Sequence, residues 1–151
     1  MRLSIIAVGR QKPGPLKELE RHYAGRITYP LSLREVEERR KLSPSELKTR
    51  EAALLLEAIP KGTTLIALDA RGVTLSSIAF AWRLGAWRDA GTNLAFLIGG
   101  ADGLADTVIE KAQLVLSLGA MTWPHLLARG LLLEQIYRAQ QILAGHPYHR
   151  E

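Results

Sequence analysis

The chain has 151 residues, 47% of them hydrophobic and 23% charged, and it contains no cysteine. This length and composition fit one globular domain with a substantial core. The lack of cysteine excludes disulfides, thiolate metal sites and a cysteine nucleophile, and it suits a cytoplasmic location. Lys and Arg outnumber Asp and Glu by 20 to 15, a balance that favours a polyanionic partner such as nucleic acid.

The sequence lacks the motifs that are typical of several other classes of protein. The four histidines show no metal-ligand spacing, so no metal site is expected. No segment has the length or apolar character of a signal peptide or a membrane helix. The sequence also lacks a Rossmann G-x-G-x-x-G fingerprint, a P-loop and a G-x-S-x-G nucleophile elbow.

The predicted elements alternate between strand and helix along the chain. Apolar runs of strand length occupy residues 3–8, 31–37, 64–68, 93–98 and 114–118. Helical patterns occupy residues 15–27, 43–59, 76–89, 104–112 and 124–145. Ser43 and Glu46 form a capping box with Pro44 at the first helical position. This alternation predicts one domain with a mainly parallel sheet and helices on both faces.

Three loops are the expected ligand-binding region, because ligands of such sheets lie outside the carboxyl ends of the strands. They are residues 68–72, 99–103 and 118–124. Gly99, Gly100 and Gly103 would allow close approach of the backbone to a ligand. For an isolated GGxxG, a tight turn from strand to helix is the more common explanation of the same glycines.

Four ordered motifs carry a resemblance to a known family. They read Leu97-Ile98-Gly99-Gly100-x-x-Gly103, Leu116-Ser117-Leu118-x-x-Met121-Thr122-x-Pro124-His125, Glu134-Gln135-x-Tyr137-Arg138-Ala139 and His146-Pro147-Tyr148-His149-Arg150. In this combination and spacing the chain resembles the ribosomal large-subunit RNA methyltransferase H family, which methylates N3 of a pseudouridine in 23S rRNA. The similarity extends from the first strand to the last residue.

The resemblance implies a single SPOUT methyltransferase domain over residues 1–151, with a parallel-sheet α/β knot and a homodimeric assembly. It places the knot and cofactor loops at about residues 68–124, the C-terminal helix at 124–145 and a functional tail at 146–151. The methyl donor would be S-adenosylmethionine, bound by the same three loops. The residues carried over to the cofactor site are Leu68, Gly99, Leu118, Gly119, Ala120, Met121, Thr122 and Trp123. Gly119 departs from the family pattern, in which Ser is common.

Catalytic roles are assigned to the tail through the same resemblance. The imide nitrogen of pseudouridine must lose its proton to become nucleophilic. His149 is the candidate base, because an unperturbed pKa of about 6.5 leaves a neutral fraction at physiological pH. Tyr148 would stack on the target base, and Arg150 would hold a phosphate or the imide anion. We expect the tail to be exposed and to add little to stability.

Two arginines of the last helix are candidates for RNA binding. Arg138 follows Glu134 by four residues, so a helical ion pair is an equally good interpretation. Arg129 lies among leucines, where a lone charge should face an interface or the site. The leucine-rich surface of this helix is consistent with a homodimer. His125 is interpreted as a structural residue at the start of the helix.

Two alternative functions are kept. The first is a SPOUT-fold RNA-binding protein without methyl transfer. The second is a SPOUT enzyme that acts on transfer RNA. Since the chain has no residues for a separate RNA-binding domain, the expected substrate is large-subunit rRNA within the assembled ribosome. The basic stretch at residues 39–48 is a further possible contact with RNA.

Overall fold

The computed structural model describes all 151 residues. A five-stranded sheet has the order β2-β1-β4-β3-β5, and all its strand pairs are parallel. The strands are β1 (Leu3–Val8), β2 (Leu31–Val36), β3 (Thr63–Thr74), β4 (Asn93–Ile98) and β5 (Leu114–Ser117). The helices are α1 (Pro15–Ala24), α2 (Pro44–Glu57), α3 (Ser77–Asp89), α4 (Asp106–Lys111) and α5 (His125–Leu143). The predicted parallel α/β domain is confirmed, and the knotted threading of the chain stays a prediction.

Helices cover both faces of the sheet because the central strands are apolar on both sides. Along β1, Leu3, Ile5 and Ala7 join one buried cluster with α3 and α5. Ile6 and Val8 point to the opposite face and join a second cluster with α2 and α4. This alternation follows from the two-residue period of a strand, and its continuous apolar run is typical of a parallel strand covered on both faces.

Serine caps mark the starts of two of the five helices, α2 and α3. The hydroxyls of Ser43 and Ser76 accept hydrogen bonds from the N–H groups of Glu46 and Ala79, at 3.2 Å and 3.0 Å. Each serine therefore satisfies one of the free donors at a helix N-terminus. Helix α1 ends at Ala24, three residues before the predicted boundary.

Strand β3 differs most from the prediction. It continues through residues 69–72, which the sequence pattern assigns to a loop, and ends at Thr74. Leu68 and Val73 both pair with Leu116 of β5, so the register shifts between them and residues 69–72 form a bulge. A Cβ atom at Gly72 would overlap the carbonyl of Val115. Glycine therefore permits the close approach of β3 to β5 that the bulge requires.

No helix combines the length and the apolar character that crossing a membrane requires.

Candidate active site

Two adjoining cavities open at the carboxyl edge of the sheet. The smaller, of about 260 Å³, lies between the end of β3, the glycine turn after β4 and the loop that joins β5 to α5. Its walls include most of the residues predicted to bind the cofactor, namely Leu68, Gly99, Leu118, Gly119, Met121, Thr122 and Trp123. Ala120 is exposed on the same loop but does not line either cavity. The structure therefore brings together all of the predicted set except Ala120.

The glycines of this region serve different purposes. A Cβ atom at Gly99 would lie 2.7 Å from the carbonyl carbon of Gly103, so the turn itself requires glycine there. Gly119 has a φ of +112°, which disfavours any side chain, and a Cβ atom there would meet no atom within 4 Å. Gly119 therefore presents bare backbone to open space in the cavity wall.

Hydrogen bonds hold the loop between β5 and α5 in shape. The hydroxyl of Ser117 accepts from the Gly119 N–H at 3.1 Å and donates to the Gly119 carbonyl at 3.1 Å. The indole N–H of Trp123 donates to the carbonyl of Leu118 at 3.3 Å. Met121, in contrast, is 75% exposed. The loop is thus a fixed backbone that presents apolar side chains to an incoming ligand.

The larger cavity, of about 610 Å³, lies between the start of α3, helix α5 and the C-terminal tail. It shares the walls Leu116, Leu118, Gly119 and Trp123 with the smaller cavity. Sequence reasoning missed several of its lining residues, among them Tyr23, Thr74, Leu75, Phe80 and Gln135. Only Gln135 lies in one of the four family motifs, and the others are assembled by tertiary packing.

Tyr148 and His149 of the tail are partly buried against α5, whereas His146, Pro147, Arg150 and Glu151 are exposed. The expectation of an exposed tail therefore holds only in part, and the contribution of the tail to stability stays to be measured. The Tyr148 hydroxyl donates to Glu134 at 3.0 Å, and the Tyr148 ring centroid lies 4.8 Å from that of Tyr137. The guanidinium of Arg138 lies 4.8 Å from the Tyr148 ring and donates to Glu134 at 2.6 Å. Burial, followed by hydrogen bonds to Tyr23 and Glu134, raises the pKa of Tyr148, so its phenol stays protonated.

His149 is in contact with the same arginine. Its Nδ1 lies 3.2 Å from Nη1 of Arg138, and its Nε2 is buried without a partner. Because a guanidinium only donates, Nδ1 must accept, and the neutral ring then carries its proton on Nε2. In this arrangement His149 has no free nitrogen to accept a proton. Arg150 is exposed.

The prediction that Arg129 contacts RNA is wrong. Its side chain is 0% exposed, so RNA cannot reach it. It donates to Glu35 at 2.6 Å and to the carbonyls of Val8 and Gly9 at 3.0 Å and 2.9 Å. A second carboxylate, Glu20, lies 3.5 Å away. Arg129 is therefore a buried structural cation that joins α5 to the ends of β1 and β2.

His125, at the first position of α5, lines the smaller cavity. Burial and the neighbouring Arg129 lower its pKa, which keeps the ring neutral. No group of three or more His, Cys, Asp or Glu side chains is arranged to hold a metal ion. The polar groups of the site are therefore backbone amides, hydroxyls, the imidazoles of His125 and His149, and the pair formed by Arg138 and Glu134.

A family described as "Predicted SPOUT methyltransferase" matches residues 1–149. The chain belongs to this SPOUT methyltransferase family. Two curated relatives are both called "Ribosomal RNA large subunit methyltransferase H". The protein from Rhodospirillum centenum is 60% identical to this chain, and that from Paramagnetospirillum magneticum is 55% identical. Each similarity covers 99% of this chain and 99% of the relative.

Solved structures share the fold at low identity. A probable methylase family protein from Haemophilus influenzae matches with a TM-score of 0.61 and 14% identity, over 99% of this chain and 70% of that chain. The SpoU methyltransferase AviRb from Streptomyces viridochromogenes, solved in complex with AdoMet, matches with a TM-score of 0.51 and 16% identity. That match covers 93% of this chain and 58% of the other. At these identities the likeness shows the fold alone.

Proposed function

We propose that this protein transfers a methyl group from S-adenosylmethionine to large-subunit rRNA, at N3 of a pseudouridine in the assembled ribosome. The observation that carries the proposal is the smaller cavity, in which residues selected by the family motifs meet at the carboxyl edge of the sheet. The 60% identical relative, whose name states an activity on large-subunit rRNA, supports the substrate class.

The residues of the smaller cavity fit the proposed donor. Bare backbone at Gly119 and the apolar walls Leu68 and Leu118 suit a flat nucleoside, whose polar edge would bond to backbone groups of the loop. When bound, S-adenosylmethionine supplies a methyl group on a positively charged sulfur. The neutral state of His125 avoids placing a second positive charge in the wall of the same cavity.

The target base is proposed to enter the larger cavity. The two cavities share the Leu118–Gly119 backbone and Trp123, so a ligand in one lies next to a ligand in the other. Methyl transfer requires the nucleophile and the methyl carbon to be held in line at about 3 to 3.5 Å. Two adjoining binding spaces with a fixed common wall provide such positioning.

The tail residues are proposed to act at that base. Tyr148 lines the larger cavity as a neutral phenol and can present its ring to a nucleobase. Arg138 can stabilise the anion that forms when the imide nitrogen loses its proton. His149 can act as the base only after Arg138 leaves its Nδ1, and the arrival of an anionic RNA group would favour that exchange. Arg150 is proposed to contact a phosphate.

A homodimer is also part of the proposal. Leu131 of α5 lies in the wall of the open larger cavity and is only partly buried. A second copy of the chain could cover this surface in an isologous interface. In such a dimer the tail could serve its own cofactor cavity or that of the partner.

The direct experiment is transfer of tritiated methyl groups from S-adenosylmethionine to intact ribosomes, separate subunits and free rRNA. We expect labelling of the large-subunit rRNA in intact ribosomes, and nucleoside mass spectrometry should identify 3-methylpseudouridine. Binding of S-adenosylmethionine without labelling of any RNA would favour the non-catalytic alternative. Labelling of transfer RNA would favour the other alternative. Mixed dimers of one subunit that lacks the tail and one Thr122→Trp subunit, whose cofactor cavity is filled, should transfer methyl groups only if the tail acts at the cofactor cavity of the partner.

A substitution at Thr122 tests the cofactor cavity. Thr122 is exposed and lines the cavity, so Thr122→Trp should fill the cavity without disturbing the core. We expect the affinity for S-adenosylmethionine, measured by calorimetry, to fall at least roughly tenfold, equivalent to about 1.4 kcal/mol. Thr49→Trp is the matched control, because Thr49 is exposed on α2 and lines neither cavity. Equal affinity in both variants would remove this cavity from the proposal.

A further inference from the structure

The loop after β1 contains an unusual alternation of exposed and buried polar residues. Arg10 and Lys12 are exposed, whereas Gln11 between them is only 6% exposed. Neither Arg10 nor Lys12 makes an ion pair within the chain. A buried glutamine with two free cations beside it is not explained by core packing, because a loop of this kind could be polar throughout.

Hydrogen bonds fix Gln11 in place. Its backbone N–H donates to Glu35 at 2.6 Å, and its side-chain amide donates to the carbonyl of Leu126 at 3.3 Å. Glu35 accepts from Arg129 with the same oxygen, at 2.6 Å. The buried arginine therefore anchors the loop through Glu35. Since Gln11 faces inward, the residues on either side of it are held at the surface.

The loop lies beside the cofactor cavity. Gly9, at the start of the loop, is so close to α5 that a Cβ atom on it would lie 3.3 Å from Nε2 of His125. His125 in turn lines the smaller cavity. Strand β1 pairs with β4, whose glycine turn forms another wall of that cavity. Arg10 and Lys12 are thus held at the same edge of the sheet as the proposed site of methyl transfer.

Other arginines near this edge are less available to an RNA phosphate, because they are paired with carboxylates of the chain. In the basic stretch predicted at residues 39–48, Arg39 lies 3.7 Å from Glu37 and Arg40 lies 2.9 Å from Glu38, which also pairs with Arg50, just beyond the stretch, at 3.1 Å. Hydrogen bonds from Arg40, together with the nearby charges, lower the pKa of Glu38 to about 2, so this carboxylate stays ionised. These internal pairs reduce the charge that the stretch offers to a polyanion.

We propose that Arg10 and Lys12, presented by the buried Gln11, bind rRNA phosphates next to the cofactor cavity. The inference rests on the proposed function, which supplies the RNA. Phosphate contacts fix the register and orientation of a nucleic acid without reading its sequence. Their role here is to hold the RNA segment that flanks the target base, so that the base reaches the larger cavity.

The test replaces both cations with neutral residues of similar size, in the variant Arg10→Gln/Lys12→Gln. We expect the affinity for intact ribosomes to fall roughly tenfold at moderate salt. The slope of log affinity against log salt should become shallower by about 1 for each phosphate that the variant no longer binds. Because neither side chain lines either cavity of the candidate site and both are exposed, the affinity for S-adenosylmethionine and the melting temperature should match those of the wild type.

The chain offers a matched control at the opposite edge of the sheet. Arg2 and Lys61 are exposed and line a surface cavity formed by residues at the starts of β1, β2, β3 and β4, so Arg2→Gln/Lys61→Gln makes the same change in net charge. This control should bind ribosomes almost as the wild type does. Equal losses in the two variants would mean that only net charge matters, and would overturn the inference.

Further outcomes distinguish a failure of this inference from a failure of the proposed function. Normal ribosome affinity in the Arg10→Gln/Lys12→Gln variant, beside normal wild-type binding and labelling, would overturn the inference alone. A change of oligomeric state in this variant would assign the loop to a subunit interface and would also overturn it. Failure of the wild type to bind ribosomes would overturn both proposals together.

Discussion

Helix α5 carries two arginines nine residues apart, Arg129 and Arg138. Each is paired with a carboxylate, but their surroundings differ. Arg129 is fully enclosed and bonded to Glu35 and to two backbone carbonyls. Arg138 lies at the rim of the larger cavity, with its side chain 24% exposed, and is paired with Glu134. The first is committed to the fold, whereas the second can exchange partners. Burial and the number of fixed partners, rather than residue type, separate a structural arginine from a functional one.

The buried cluster around Arg129 also contains Glu20, a carboxylate whose ionised form is disfavoured in the folded protein. Burial raises the pKa of Glu20, although Arg129 lies 3.5 Å away. Burial disfavours ionisation of Glu35 too, but hydrogen bonds from Arg129 and from the Gln11 N–H outweigh it and lower its pKa. Arg129 is therefore matched mainly to Glu35, and removal of either partner should be costly.

The largest effect is expected for Arg129→Met. Loss of the buried cation removes the guanidinium from Glu35, from Glu20 and from two backbone carbonyls, and breaking a buried pair of this kind costs about 3 to 5 kcal/mol. Urea denaturation should show this loss in the free energy of unfolding. Arg83→Met, at an exposed position of α3, is the control and should change stability by less than about 0.5 kcal/mol. A small loss in Arg129→Met would mean that the cluster is not structural.

An intermediate effect is expected for Glu35→Gln, with a defined pH dependence. The folded-state pKa of Glu35 lies below its ordinary value of 4.5. Its ionised form therefore stabilises the protein above about pH 4.5, and this contribution is lost as the pH falls through the folded-state pKa. Charged hydrogen bonds of this kind contribute about 1.5 to 3 kcal/mol. Melting curves of the two proteins should differ at pH 7 and converge in acid; a constant difference would contradict the assignment.

The smallest effect on stability is expected for Arg138→Met. A partly exposed pair at i and i+4 contributes only about 0.3 to 0.5 kcal/mol, and Met retains much of the packing of the arginine stem. Methyl transfer to ribosomes should nevertheless fall strongly, since the variant cannot stabilise the imide anion. Unfolding and transfer rates measured on one preparation would check both expectations. If Arg138→Met lost much stability but transferred methyl groups at the normal rate, Arg138 would be a structural residue and its proposed functional role would be wrong.

Much of the fold could be predicted because apolar runs and serine caps are local signals. The bulge at residues 69–72 could not, since it depends on Gly72 meeting Val115 of another strand. The cofactor loops could be selected because ligands of parallel sheets lie outside the carboxyl ends of the strands, and because the family motifs fall in the same loops. The packing of Tyr148 on Tyr137 and the burial of Arg129 arise from tertiary contacts that no local pattern encodes. The sequence therefore identified the candidate residues better than it separated their roles.

The most direct test of the catalytic role proposed for the tail is single-turnover methyl transfer to intact ribosomes by the chain truncated after Gly145. Truncation removes Tyr148 and its hydrogen bond to the Glu134 carboxylate, so a loss of about 1.5 to 3 kcal/mol in stability is expected, and the assay should run well below the melting temperature. Affinity for S-adenosylmethionine should stay near that of the full chain, because no tail residue lines the smaller cavity. We expect methyl transfer to be lost while the cofactor still binds. Transfer at the full rate would contradict the role proposed for the tail.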